Sequence, residues 1–298
     1  MSLKSDIEFL AKTTKMDNAE IALTLKCSER SVRRYAGEWK ERLKKRFEKS
    51  GGEGERKALI IADIHKPYND PSAYAIAINY GKEWKPDDLV ILGDYADFKD
   101  VSFWKQNPIR SSFSEEVSIV RRGLQTLRED FPDSAITFVE GNHEERLGRY
   151  LWSKAPELYG LAELAVPKLL GLDVLNIEYV SNSQRLNNNQ HPFNLGKLYL
   201  LHGHEIKLSW DGVNLARTMY LKTHCNVLFG HHHQSQHYIF KKLDGKHEGS
   251  WMAGCLCRLS EDYQPMNNWI HGFTTVKYNN ETGYFKVRNK IIIDGQVL

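Results

Sequence analysis

Cysteine is scarce in this sequence, and its spacing excludes two common uses. Only four cysteines occur among 298 residues, at Cys27, Cys225, Cys255 and Cys257. This spacing matches neither the disulfide framework of a small secreted domain nor the paired Cys-x-x-Cys motifs of a zinc site. We therefore expect a reducing, cytoplasmic location.

Long hydrophobic runs are also missing. No stretch approaches the roughly 18 consecutive apolar residues of a membrane-spanning helix, and charged residues interrupt residues 1–20 every few positions, unlike a signal peptide. The composition, 41% hydrophobic and 27% charged, is that of a globular protein with one large or two smaller domains. We expect no association with a membrane.

Proline first occurs at Pro67, and the chain before it carries the excess positive charge. Residues 1–57 contain 15 Lys and Arg against 10 Asp and Glu, whereas the net charge of the whole chain is only +3. Apolar residues recur there at helical spacing, and a glycine-rich segment follows. The sequence predicts a basic helical domain over 1–50, a linker over 51–57 and a second domain over 58–298.

Residues 18–43 resemble a helix-turn-helix. Ala22 and Val32 stand ten residues apart, as the small and β-branched core positions of that motif do, and Ser28 is expected to cap the second helix. Lys26 takes the place of the motif's usual turn glycine. The second helix would enter the major groove of DNA and present three arginines to it, Arg30, Arg33 and Arg34. The alternative is a basic face that is only solvated or that binds a protein.

Five apolar runs in the rest of the chain each end in polar residues that can bind metal. They are "KALIIADIH" (57–65), "DDLVILGDYAD" (87–97), "AITFVEGNHEE" (135–145), "KLYLLHGHE" (197–205) and "NVLFGHHH" (226–233). Helical patterns at 72–84 and 115–130 separate the first runs, which indicates a layered α/β domain. Open α/β sheets bind ligands beyond the carboxyl ends of their strands, so these polar residues are expected to converge.

The motifs "DIH", "GDYAD", "GNHEE", "LHGH" and "GHHH" resemble, in this order, the five signature motifs of the calcineurin-like metallophosphoesterases. The resemblance spans about residues 58–260. It implies a four-layer α/β/β/α sandwich, here preceded by the small all-α helix-turn-helix-like domain. The later strand-like runs, 249–259 and 272–293, are expected to form the second sheet. The segment 254–273 resembles metallophosphoesterases of bacteriophages and some bacteria.

The resemblance also implies that seven residues bind two divalent cations. The first cation would be bound by Asp63, His65 and His233. The second would be bound by Asn142, His202 and His231. Asp94 would bridge both, because a carboxylate has two oxygen atoms. We expect manganese first, because the ligand set is oxygen-rich, with iron, zinc, nickel or magnesium as alternatives. Asp63 and His65, two residues apart, would point to one side of an extended segment.

Two further residues would take part in the reaction that the resemblance implies. His143 would act on the leaving-group oxygen as a general acid or hydrogen-bond donor, and Asp97 would orient and charge its imidazole. The reaction would be in-line attack of metal-bound hydroxide on phosphorus, without a covalent enzyme intermediate. Gly230 is expected to let the chain turn after its strand, and His232 to point away from the site.

Four residues are candidate substrate contacts: Arg146, His204, Trp104 and Arg110. Guanidinium groups match phosphate bidentately, although Arg146 could equally belong to a solvated helix face. Trp104 and Arg110 lie in 98–114, which we expect to form a loop beside the site, as does the polar segment 181–194. They would stack on a base and bind a phosphate, or only pack the loop.

Three functions remain open. The first is a phosphoesterase acting on nucleic acid, as nuclease or end phosphatase, recruited by the basic helical domain. The second is a phosphatase or phosphodiesterase for a small molecule or phosphoprotein. Phe98 argues against a standard protein phosphatase, since that branch of the family has an Arg there. The third is a DNA-binding regulator whose phosphoesterase-like domain senses a ligand, which the complete ligand set disfavours.

Overall fold

The computed structural model describes residues 3, 7, 17–35, 54–103, 112–208, 213–260 and 266–298. The predicted substrate contacts Trp104 and Arg110 lie outside these residues, as do part of the predicted linker and residues 36–50. Within the described ranges, no helix is both long enough and apolar enough to cross a membrane.

A small helical module comes first. Helix α1 (Asn18–Thr24) begins after Asp17, whose side chain forms a capping box with Glu20. Residues 29–35 are also helical, and Ser28 accepts a hydrogen bond from the backbone of Ser31, as expected of its capping role. The core of the module consists of Ile7, Ile21, Ala22 and Val32.

Lys26 occupies the turn between these two helical segments. Its φ of +50° lies in the left-handed region that favours glycine. The chain therefore adopts at this position the backbone conformation for which the helix-turn-helix motif usually has a glycine, although a lysine is present.

Four parallel strands form one side of the first sheet. They are β1 (Arg56–Ile61), β2 (Asp88–Leu92), β3 (Ala135–Val139) and β4 (Ile177–Val180). The connecting helices are α2 (Pro71–Trp84), α3 (Phe113–Asp130), α4 (Glu145–Lys154) and α5 (Val166–Leu170). Short 3-10 turns lie at Lys99–Val101, Pro156–Leu158 and Ala162–Leu164.

The second sheet has five strands. They are β5 (Phe193–Leu195), β6 (Leu198–Leu201), β7 (Val227–Phe229), β8 (Ser235–Lys241) and β9 (His247–Ala253), in the order β5-β6-β7-β9-β8. Helix α6 (Asn182–Asn187) precedes this sheet, and α7 (Leu215–Thr223) connects β6 to β7.

The last three strands return to the first sheet. They are β10 (Gly272–Tyr278), β11 (Phe285–Ile293) and β12 (Gln296–Val297). Strand β10 pairs antiparallel with β1, so the first sheet has seven strands in the order β12-β11-β10-β1-β2-β3-β4. The expectation that the runs now seen as β10 and β11 build the second sheet was therefore wrong; of the late runs only β9 belongs there.

The side chains of β1 alternate between two cores, as the twofold period of a strand requires. Leu59 and Ile61 pack with α2 and α3 on one face of the first sheet. Ala58 and Ile60 face the second sheet. On the far side of the second sheet, Phe229 and its neighbours pack against α7. The layers are thus α/β/β/α, which confirms the predicted fold class.

The segment 181–194 is not the continuous loop that its polar composition suggested. Ser181 caps α6 by accepting from the backbone of Gln184, and β5 begins within the segment at Phe193. Asn182 is buried and donates to the carbonyl of Leu200. The polar side chains satisfy helix caps and sheet edges, so they do not mark a loop over the site.

Candidate metal centre

The polar residues that follow five strand ends meet in one crevice. Strands β1, β2 and β3 are parallel neighbours, and so are β6 and β7. Parallel strands share the edge at which their carboxyl ends lie. The first predicted ligands after these strands are, in turn, Asp63, Asp94, Asn142, His202 and His231.

Asp63, His65 and Asp94 form the first group that can hold a metal. The Nε2 atom of His65 lies 3.7 Å from Oδ2 of Asp94. His233 joins this group, because its Nε2 lies 3.2 Å from Nε2 of His65 and 3.4 Å from Oδ1 of Asp63. All the residues predicted for the first cation are therefore adjacent.

Asp94, His202 and His231 form the second group. The Nε2 atom of His202 lies 3.1 Å from Oδ2 of Asp94 and 3.1 Å from Oδ1 of Asn142. Asp94 belongs to both groups, as a bridging carboxylate must. Burial alone would lower the pKa of His202, but the neighbouring Asp94 carboxylate raises it well above its usual value.

These donors suit divalent cations. Each group combines carboxylate oxygens with imidazole nitrogens, a set used by manganese, iron and zinc. Asp63 and Asp94 are 0% and 1% exposed, and buried carboxylates need a compensating positive charge. Burial lowers the pKa of His65, which favours the unprotonated ring that a metal binds.

Five predicted ligands have a left-handed backbone. The φ angles are 52° at Asp63, 51° at His65, 51° at Asp94, 69° at His231 and 59° at His233. A non-glycine residue in this region costs about 1–3 kcal/mol, and such residues cluster at functional sites. The reasoning that an extended segment directs Asp63 and His65 to one side was therefore wrong, because sharp turns direct them to the site.

Gly230 is required for close approach and not for a sharp turn. It lacks the positive φ of the histidines that follow it. A Cβ atom at this position would lie 2.6 Å from Oδ2 of Asp63. The close contact lets the backbone N–H of His231 donate to the same carboxylate at 2.9 Å, so the glycine brings the loops after β7 and β1 together.

His143 stands beside the two groups, against Asp97. Its Nδ1 lies 3.0 Å from Oδ1 of Asp97, and its Nε2 lies 3.7 Å from Oδ2 of Asp94. Asp97 also receives Nδ1 of His65 at 2.9 Å. Burial would raise the pKa of Asp97, but its hydrogen bonds to His143 and His65 hold it well below the usual range. Asp97 thus orients two histidines, where the sequence predicted one.

A calcineurin-like phosphoesterase family model matches residues 56–250, which is more than half of the chain. This chain belongs to that family. The match contains all seven predicted metal ligands together with His143 and Asp97.

Individual relatives are distant. The gene 54 protein of Mycobacterium phage L5 is 22% identical over 187 residues, covering 60% of this chain and 69% of the phage protein. The gene 54 protein of Mycobacterium phage D29 is 26% identical over 113 residues, covering 36% and 44%. Among solved structures, the E. coli phosphoesterase Yfce covers 81% of this chain and 96% of its own at 15% identity, with a TM-score of 0.38. The phage proteins fit the prediction of a bacteriophage or bacterial family member.

Arg146 contacts the predicted general acid directly. One of its terminal nitrogens donates to the carbonyl of Asp97 at 2.8 Å, and the other lies 2.8 Å from Nε2 of His143. In this family member the arginine therefore covers the nitrogen that would face a leaving group.

His204 lies at the edge of the second group. Its ring is 5.4 Å from that of His202, and its Nε2 lies 2.9 Å from Oε1 of Glu145. Its Nδ1 is buried and, within the described part of the chain, has no hydrogen-bond partner. This nitrogen lies 3.6 Å from Oε2 of Glu205.

The sequence reasoning missed Glu144. This fully buried carboxylate accepts the backbone N–H groups of Asp94 at 2.9 Å, Ala96 at 3.0 Å and Gly141 at 2.9 Å. It therefore ties the loop after β2 to the loop after β3. The only signal was an acidic residue inside "GNHEE", which carries no ligand role of its own.

Glu116 of α3 was also missed. It is 1% exposed and accepts the backbone N–H of Phe98, the residue that follows Asp97. Burial raises the pKa of Glu116 to about 7. The Glu116 carboxyl group holds the backbone immediately after Asp97 in place. Helix α3 thereby supports the site although none of its residues is a predicted ligand.

The three consecutive histidines allow a direct test of the ligand assignment. We expect His231→Ala and His233→Ala to lower the metal content of the purified protein, whereas His232→Ala retains it. His232 belongs to none of the metal-capable groups found among the described residues. Elemental analysis after reconstitution with Mn²⁺ provides the measurement, and equal loss in all three variants would contradict the assignment.

Proposed function

We propose that this family member hydrolyses phosphate esters of nucleic acid at the metal centre, as a nuclease or end phosphatase. The observation that carries the proposal is the shared position of Asp94, which belongs to two metal-capable groups beside His143. Two such groups joined by one carboxylate suit a pair of divalent cations, with manganese the first candidate.

The chain's own residues have distinct tasks in this proposal. Bound divalent cations would supply the charge that offsets the phosphate and activates water. Asp97 holds the Nδ1 side of His143, which keeps Nε2 on the side of the reacting group. Arg146 leaves Nε2 when it meets a phosphate oxygen. Nε2 of His143 then takes up a proton from water, and the imidazolium, stabilised by the Asp97 carboxylate, passes that proton to the departing oxygen.

The arginines of the helical module support nucleic acid as the substrate. Val32 is buried in the module, while Arg30, Arg33 and Arg34 are exposed. Arg33 forms an ion pair with Glu29 at 2.6 Å, and the guanidinium of Arg34 lies 5.5 Å from the centroid of the Tyr35 ring. Exposed guanidinium groups on one short helix bind the DNA backbone by releasing counterions.

The double variant Arg30→Ala/Arg34→Ala tests this recruitment in the full-length protein. We expect it to weaken binding of double-stranded DNA and to flatten the dependence of log Kd on log salt by roughly one to two units. Hydrolysis of a small aryl phosphodiester should be unchanged. Lys241→Ala, which removes an exposed cation from β8, is the matched control.

Three results would contradict different parts of the proposal. DNA binding equal to wild type in the double variant would exclude recruitment through these arginines. Turnover of aryl phosphates but of neither single- nor double-stranded DNA, with Mn²⁺ present, would favour the small-molecule or phosphoprotein alternative. No turnover of any ester with any divalent metal would exclude hydrolysis itself.

A further inference from the structure

Two ligand histidines use their second ring nitrogen to contact oxygen. Nδ1 of His202 lies 2.8 Å from the carbonyl of Leu92, and Nδ1 of His65 lies 2.9 Å from the carboxylate of Asp97. In both rings Nε2 faces the other ligands. A hydrogen bond from the outer nitrogen fixes the tautomer and the orientation of a metal-binding imidazole.

His233 has a thiol in the corresponding position. Its Nδ1 lies 3.6 Å from Sγ of Cys257, while its Nε2 faces Asp63 and His65. We propose that Cys257 is a positioning residue for His233. Its sulfur accepts the Nδ1 proton and so keeps Nε2 directed at the cation. This inference rests on the proposed metal centre.

The backbone holds the thiol at a fixed place relative to the first group. The N–H of Leu256 donates to the carbonyl of Asp63 at 3.0 Å. The carbonyl of Cys257 lies 2.8 Å from Nε2 of His271. Because the chain on both sides of the Cys257 amide is anchored, the sulfur cannot drift away from the ring of His233.

A second contact restrains the same ring. The indole of Trp269 meets the His233 imidazole at 4.2 Å between ring centroids, with an angle of 69° between the planes. The ring is thus held by an aromatic face and by a sulfur. Since a thiol is a weaker acceptor than a carbonyl or carboxylate, removing it should loosen the ring without unfolding the loop.

Cys255 provides the matched control. It is buried like Cys257 and two residues away, but its sulfur lies 3.6 Å from the carbonyl of Ile270 instead of a ligand. Cys255→Ala therefore removes a buried thiol of the same size, one that contacts Cys257 but not His233. Cys257→Ser keeps a hydroxyl acceptor near Nδ1, whereas Cys257→Ala removes the acceptor altogether.

The experiment measures Mn²⁺ affinity of the metal-free full-length protein by competition with a chromophoric chelator. We expect Cys257→Ala to lower the affinity for one of the two cations by about 10–100-fold. This is the usual effect of losing the residue that hydrogen-bonds to the second nitrogen of a ligand histidine. Cys257→Ser should recover most of that loss, and Cys255→Ala should match wild type. Melting temperatures of the metal-free variants show whether both alanine variants lose similar packing.

Three outcomes would overturn the inference. They are an unchanged affinity in Cys257→Ala, an equal loss in Cys255→Ala, and a loss in Cys257→Ser as large as in Cys257→Ala. A wild-type protein that binds no divalent cation would instead refute the proposed function. The two failures are therefore distinguishable in the same titration.

Discussion

Replacing His143 by alanine is expected to lower kcat for phosphate-ester hydrolysis by about 10²–10⁴-fold, the range for loss of a general acid. The metal content should not change. Asp94 receives the backbone N–H of His143 at 3.0 Å, and that hydrogen bond survives the substitution. The imidazole alone is lost, and with it the Nε2 atom that would pass a proton to the leaving group.

Comparing esters with different leaving groups distinguishes a general-acid role of His143 from a structural one. A general acid matters most when the departing oxygen is basic, so the loss should be large for an alkyl or nucleoside ester and small for a p-nitrophenyl ester. His247→Ala, which removes an exposed histidine at the start of β9, serves as the control. Equal losses for both ester types, or a parallel loss of metal, would exclude His143 as the proton donor.

Replacing Glu144 by alanine is expected to destabilise the protein strongly. The change leaves three buried backbone N–H groups without their acceptor, and each unsatisfied group costs about 1–3 kcal/mol. A total near 3 kcal/mol corresponds to a fall in Tm of roughly 6–12 °C for a domain of this size. Metal affinity should fall as well, because the loops that carry Asp94 and Asn142 lose the carboxylate that holds their backbones together.

The neighbouring glutamate shows whether the effect is specific. Glu145 is partly buried and contacts the side chains of His204 and Ser183 instead of backbone amides. Glu145→Ala should therefore lower Tm by only a few degrees in differential scanning calorimetry. If Glu144→Ala had the same Tm as wild type, the hydrogen bonds of Glu144 between the two loops would not stabilise the protein.

Strand ends were the most predictable feature of this chain. Each of the five apolar runs becomes a strand because it is too short for a buried helix and is followed within two residues by Gly or Asp. The parallel pairing of β1, β2 and β3 then requires that Asp63, Asp94 and Asn142 meet. Knowing that each of these residues follows the end of its strand is therefore enough to predict that they lie together.

The groups that support the ligands could not be predicted in the same way. Glu144, Glu116 and Cys257 act through backbone amides or through another side chain, and such partners are set by how loops fold on one another. Nothing in the spacing of Glu116 connects it with Phe98, which it contacts only because α3 packs beside the loop after β2. Helix α6 was missed because its residues favour turns and caps as well as helices.

The left-handed backbone at five ligand positions sets metal binding against thermal stability when variants of this protein are selected for heat resistance. Glycine is relaxed where Asp63, His65, Asp94, His231 and His233 are strained. Random libraries screened only for residual folded protein should therefore enrich small residues there and discard the cation-binding side chains. A screen that includes bound metal in its readout would retain the centre and place its stabilising changes elsewhere in the fold.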